Sequence, residues 1–184
     1  MQLLKNVDLF DPAPRGVVDV LVGGGAVLAA SPGLEVQGTR GLVEVHDLQG
    51  ARVIPGLVDA HVHVTGGGGE AGFSSRVPPR MVSELALAGV TTVVGLLGTD
   101  GRTRTMRELI ARTYGLREEG LSAWCWTGSY EMPVRTLTGS VRDDIVFIEP
   151  VLGVGELAIS DHRSSQPTLE ELLRVASDVH VAGL

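Results

Sequence analysis

The segment Arg52–Val64 reads RVIPGLVDAHVHV. An apolar, β-rich run ends in His61 and His63, two residues apart, and on a strand a period of two sets both imidazoles on one face. Neutral imidazoles so placed can hold one Zn2+. A pair of histidines on an exposed surface strand would share this spacing. The setting favours the metal reading instead, because an apolar strand precedes the pair, Pro55-Gly56 heads the run and the glycine-rich Gly66–Gly69 follows it.

C-terminal to this segment, strand and helix signals alternate. Pro79–Ala88 has helical spacing and stops at Gly89. Val90–Leu97 is a continuous apolar run, expected of a strand buried on both faces. Thr105–Glu119 predicts a helix with Met106, Leu109, Ile110 and Tyr114 on one face and Gly120 as its stop. Leu121–Thr127 and Val151–Ser160 read as strands, and Thr168–Val181 as a helix opened by a Thr168/Glu171 capping box. The strands begin near residues 53, 91, 121 and 151, a repeat of roughly 30 residues, the length of one βαβ step. The expected class is therefore α/β. Residues 51–184 read as the first four βα units of a (β/α)8 barrel, a fold that takes ~250 residues. Because the chain stops where a fifth strand is due, it is expected to be part of a longer product. N-terminal to the segment, Leu3–Leu9, Val17–Val22, Ala26–Ala30 and Leu42–Leu48 are short β-rich runs, with Gly23–Gly25 as a hairpin turn. Residues 1–50 thus read as a small β-rich, sandwich-like domain.

Composition excludes several classes. At 43% hydrophobic residues the chain has enough apolar material for a core, which argues against disorder. A net charge of -7 without a Lys/Arg cluster makes nucleic acid a poor partner. No run approaches the ~18 apolar residues that span a membrane, and Met1–Pro12 lacks the pattern of a signal peptide. Cys125, the single cysteine, rules out an intrachain disulfide and fits a reducing compartment. A cytoplasmic location with no membrane partner is expected. Cys125 reads as a buried inert thiol, with Trp124 and Trp126 as packing residues.

Pro55-Gly56-Leu57-Val58-Asp59-Ala60-His61-Val62-His63 resembles the PGxxDxHxH signature of the amidohydrolase superfamily, in which a small β-domain precedes a metal-binding barrel. Four further stretches narrow the resemblance to the isoaspartyl (β-aspartyl) dipeptidases. They are Gly66–Gly72 (GGGGEAG), Val94–Asp100 (VGLLGTD), Thr127–Tyr130 (TGSY) and Ile159–Ser164 (ISDHRS). The likeness runs through nearly the whole chain, as the N-terminal half of such an enzyme.

The resemblance implies a binuclear site with two Zn2+ ions, to which His61 and His63 contribute ligands while Asp59 supports them. In many amidohydrolases a carboxylated lysine on the fourth strand bridges the ions. Here Gly153–Ala158 (GVGELA) has no lysine and Glu156 stands in its place. A glutamate also offers two oxygens and one negative charge. Glu70 would pair with a substrate α-ammonium, with Gly68 and Thr99 lining the same pocket. Tyr130 would stabilise the oxyanion at the scissile carbonyl, as the catalytic residue of this half, and Arg163 would clamp a carboxylate. His162 is read as a neighbour of the site and not a ligand. The second ion's histidines and a catalytic aspartate are expected beyond residue 184. The function implied is metal-dependent hydrolysis of small β-aspartyl dipeptides, releasing aspartate, by a full-length homo-oligomer, the isolated fragment being inactive. Two alternatives stay open: a dihydroorotase- or hydantoinase-like enzyme acting on cyclic amides, and an inactive truncated product serving as an interaction module.

Overall fold

Two compact units divide the chain, Met1–Pro55 and Gly56–Leu184. The computed structural model describes residues 1–36 and 41–183. In the first unit β1 (Gln2–Asp11) pairs antiparallel with β2 (Ala13–Gly23). Gly24 and Gly25, at φ +60° and +76°, then turn the chain into β3 (Ala26–Ser31). Positive φ at two consecutive residues is what a tight hairpin requires and what glycine supplies without strain. β4 (Glu44–Asp47) and β5 (Arg52–Val53) lie parallel to β1, and Val7, Val18 and Val20 form the core beneath the sheet.

The segment expected as one strand, Arg52–Val64, is two. β5 belongs to the first unit. After Ile54-Pro55-Gly56 the chain starts β6 (Leu57–Val62) in the second. Pro55 has no N–H for a ladder, and the residue before it is sterically restricted. Gly56 passes so close to Thr91 that a Cβ there would lie 2.1 Å from its Oγ1.

The second unit is a parallel sheet in the order β6, β7 (Val90–Gly95), β8 (Ser122–Thr127) and β9 (Val151–Val154). Between and after these strands run α1 (Val82–Leu87), α2 (Met106–Glu118), α3 (Val141–Phe147) and α4 (Leu169–Ala182). Sequential parallel strands linked by helices are successive βα units, the repeat from which a (β/α)8 barrel is built. Along β8, Ala123, Cys125 and Thr127 are fully buried, and on the opposite face Trp126 donates Nε1–H across the sheet to the Ala60 carbonyl (3.2 Å). The core joins Val62, Val93, Ala123, Cys125 and Val151 of the strands to Leu85, Met106, Leu109 and Leu116 of the helices. Val93 through Leu97 are all buried, as a strand covered on both faces requires. β6 and β9 are the sheet's edges, where Val58 and Leu152 are exposed.

Several local expectations shift. α1 begins at Val82 and not at Pro79; Pro78-Pro79 holds the chain extended, and Glu84 Oε2 accepts the Met81 N–H. Tyr114 is exposed, and Thr113 takes the inner face of α2, its hydroxyl donating to the Leu109 carbonyl. α3 was not expected, although Ser140 caps it by accepting the Asp143 N–H. β9 stops at Val154, so Glu156 stands on the loop that follows it.

Candidate active site

All four strands of the second unit release their C-terminal loops around one cavity of about 280 Å3. It is lined by His61 and His63 from β6 and its end, by Gly67, Gly68 and Glu70 from the loop that follows, and by Leu97, Thr99, Asp100 and Arg104 after β7. Tyr130 comes from the loop after β8, and Glu156 and Arg163 from the loop after β9. The eight residues named from the sequence, His61, His63, Gly68, Glu70, Thr99, Tyr130, Glu156 and Arg163, therefore share one cavity. Catalytic groups gathered at the carboxyl ends of several strands are the usual arrangement in barrels of this kind.

At one end His61 Nε2 lies 2.8 Å from Glu156 Oε2, and the His61 and His63 rings meet edge to face with centroids 5.6 Å apart. One ligand atom from each of His61, His63 and Glu156 falls within 4.8 Å of the other two. Ligands at ~2.1 Å from a tetrahedral zinc stand about 3.4 Å from each other, so the triad is of the right span to close on one ion. Two further features fit a cation. His63 Nδ1 is buried and has no hydrogen-bond partner among the described residues, an arrangement that costs ~1–3 kcal/mol unless something satisfies it. Gly98, at φ +69°, leaves room for the ring; a Cβ there would lie 2.3 Å from His63 Cε1. Asp59 accepts the backbone N–H of His61 (3.1 Å), a local bond on the strand that carries the first imidazole.

At the other end a charged network surrounds Arg163. Its Nε and Nη2 donate to the two oxygens of Asp161 (2.9 and 3.0 Å), and its Nη1 donates to Glu70 Oε1 (3.0 Å). The guanidinium carbon lies 5.2 Å from the centre of the Tyr130 ring, and Nη2 is 3.5 Å from the phenol oxygen. Thr99 Oγ1 donates to the same Glu70 oxygen (3.1 Å). A hydrogen bond from its own backbone N–H, then the Thr99 hydroxyl and Arg163, hold the Glu70 carboxyl below the usual carboxylate range. The fork of Arg163 holds Asp161 far below that range. Burial, helped by a hydrogen bond to Asp161 and the charge of that carboxylate, raises the Tyr130 phenol, so it stays protonated and able to donate at neutral pH. Tyr130 is strapped at both sides, its N–H donating to the Gly98 carbonyl (3.0 Å) and its own carbonyl accepting from Ala158 N–H (3.1 Å).

No family model matches the chain. Over 99% of its length it superposes on β-aspartyl dipeptidase from the keratin-degrading thermophile Fervidobacterium islandicum AW-1, with a TM-score of 0.94 and 48% identity, and covers 49% of that chain. The same enzyme has been crystallised in complex with the dipeptide β-Asp-Leu. An imidazolonepropionase from Ruegeria pomeroyi is 31% identical over 133 residues, 68% of this chain and 33% of that protein. The chain is thus similar along nearly its whole length to the dipeptidase and over two thirds of its length to the imidazolonepropionase. Its fold is the N-terminal β-strands and first βα units of the amidohydrolase barrel. L-hydantoinase from Arthrobacter aurescens shares that fold at 20% identity and a TM-score of 0.63. The chain spans about half the length of the dipeptidase and a third of the imidazolonepropionase.

The sequence reading did not single out Asp161, Asp100 or Arg104. Asp161 could have been found, because a carboxylate two residues before an arginine on a loop can return onto its guanidinium. Asp100 follows Thr99 directly. Nothing in the sequence separates Arg104, whose side chain is 2% exposed, from the surface arginines around it. His162 is exposed and leans on Asp161 (Nδ1–Oδ1 3.5 Å), clear of the triad.

Proposed function

We propose that this chain is the N-terminal half of a metal-dependent β-aspartyl dipeptidase, which hydrolyses the side-chain amide of an N-terminal isoaspartyl residue and releases aspartate. One observation supports this reading above all others: a His/His/Glu triad and a Glu70–Thr99–Arg163–Tyr130 network face the same cavity, in a chain 48% identical to an enzyme crystallised with β-Asp-Leu. His61, His63 and Glu156 would hold Zn2+, with Glu156 standing where many amidohydrolases carry a carboxylated lysine. The second ion's histidines, and the aspartate that hands a proton to the leaving amine, would lie outside these 184 residues. Bound there, the metal would supply an activated water and a polarised scissile carbonyl.

The chain's own residues bind and orient. Glu70 stays anionic at neutral pH and accepts charge-assisted hydrogen bonds from the substrate α-ammonium. Gly68, with no side chain, lets the two limbs of its own loop come close where it lines the cavity, and the Thr99 hydroxyl holds Glu70 in place. Tyr130 keeps its phenol proton and donates it as a hydrogen bond to the oxygen of the scissile carbonyl as negative charge develops there. Arg163 supplies the cation for a substrate carboxylate.

The complete gene product, purified with zinc, tests this against β-Asp-Leu, α-Asp-Leu, dihydroorotate and hydantoin. Hydrolysis is expected for β-Asp-Leu alone and should be abolished by chelation, and the isolated 184-residue chain should be inactive. Glu70→Gln should raise KM about tenfold or more, since it removes an interaction made in ground and transition state alike. Turnover of a cyclic amide in preference to β-Asp-Leu, or a Glu70→Gln protein with unchanged kinetics, would overturn the proposal. A folded product without zinc or activity would favour the interaction-module alternative.

A further inference from the structure

We propose that Arg104 is a positioning residue that shapes the glycine loop so that the Glu70 carboxylate meets the substrate ammonium; this deepens, and rests on, the assignment of Glu70 above. The guanidinium is buried, and four of its five N–H donors are engaged. Nε donates to the Thr65 carbonyl (3.1 Å) and Nη2 to those of Gly67 (3.0 Å) and Val77 (3.2 Å), while Nη1 pairs with Asp100 Oδ2 (3.0 Å). One side chain therefore ties the outgoing limb of the loop, Thr65–Gly67, to its returning limb at Val77.

The limbs leave no room for side chains of their own to do this. A Cβ on Gly66 would stand 2.1 Å from the Val77 carbonyl oxygen, and one on Gly68 would stand 2.6 Å from that of Ser75. Between them run the Val77 N–H to Gly67 carbonyl bond (2.8 Å) and a bridge from Gly68 to Arg76. Glu70, half exposed at the tip, is held by the hydroxyl of Thr99. Thr99 precedes Asp100, so the Arg104–Asp100 pair anchors both the loop beneath Glu70 and the segment that grips its carboxylate. Arg104 is itself fixed, because Thr105 caps α2 directly after it. A lysine presents three donors from one point and cannot span the three carbonyls and the carboxylate.

The experiment uses the complete gene product carrying Arg104→Lys, and Arg104→Met together with Asp100→Asn, the pair that leaves no buried charge alone. Kinetics on β-Asp-Leu and on its N-acetyl derivative, which lacks the ammonium, are measured beside hydrogen exchange of the peptide spanning residues 65–77. Both variants should raise KM for β-Asp-Leu roughly tenfold with kcat within about threefold. They should also narrow the preference for the free ammonium and speed exchange in 65–77 while α2 stays protected. A double variant with the wild-type thermal midpoint, KM and loop protection would overturn the proposal. If the wild-type protein leaves β-Asp-Leu intact, the dipeptidase reading fails by itself. Loop exchange then decides: loss of protection supports the role of Arg104 and unchanged protection refutes it.

Discussion

Gly98→Ala perturbs the proposed metal cradle without altering any of the three proposed ligands. The new methyl carbon would sit 2.3 Å from His63 Cε1 and 2.8 Å from Nδ1. Carbon atoms settle ~3.5 Å or more apart, so the imidazole must withdraw by about 1.2 Å. Metal–ligand distances tolerate only ~0.2 Å. His63 would leave the shared point it forms with His61 and Glu156 or swing to a rotamer that no longer faces them. A displacement of about 1 Å at a reacting centre can cost ~100-fold in rate. The backbone adds its own cost, since φ is +69° and a left-handed conformation costs an alanine ~1–2 kcal/mol, lowering the thermal midpoint by a few degrees. Competition between the protein and a chromophoric zinc chelator, with Gly98→Ala set beside the wild type, gives the readout. Zinc affinity should fall at least tenfold while the protein stays folded. A Gly98→Ala protein that holds zinc as tightly as the wild type would show that His63 is not a ligand or that the ring need not sit against Gly98.

Two further outcomes follow from titration. Burial lifts the Cys125 thiol to about 11, which leaves ~0.1% thiolate at pH 8 where a free thiol is about a quarter ionised. Iodoacetamide should therefore label Cys125 more than ~100-fold more slowly in the native protein than in urea, and equal rates would place it at the surface. Asp161 is held far below the ordinary carboxylate range by Arg163. A depressed carboxyl adds stability that is complete above its unfolded pKa of ~3.9 and is lost as the pH falls through the folded value. The gap in stability between wild type and Asp161→Asn should thus be constant from pH 8 to about pH 5 and close only in stronger acid. A gap that closed between pH 7 and 5 would contradict the ion pair.

Much of the site was legible because its residues carry chemistry in short, ordered motifs. His61-x-His63 needs only the two-residue period of a strand, and the TGSY and SDHR stretches place Tyr130 and Arg163 whatever the details of the loops. Periodicity also sufficed for α2 and α4, and Thr168 caps α4 by accepting the Glu171 N–H as expected; Thr105 caps α2 in the same way. It failed where tertiary contacts outweigh local pattern. The strand around Pro55 is shared between two units, and α3 is too short to show a period. Tyr114 and Thr113 exchange faces because the small hydroxyl can satisfy itself against the Leu109 carbonyl inside the core, whereas a phenol there would need a partner. Arg104 was illegible for a similar reason: three of its four partners are backbone carbonyls, which every residue has.

The ion pair between Arg163 and Glu70 has a bearing on which molecules can enter. In the cavity each charge is paired with the other, with Asp161 behind. A guest bearing only an amine would bind Glu70 and strand the guanidinium's third donor. One bearing only an acid would do the reverse. If the site acts as proposed, a zwitterion with suitably spaced charges would exchange both partners of this pair for its own ammonium and carboxylate, whereas a singly charged guest would replace only one, so selectivity would rest on the spacing of two charges.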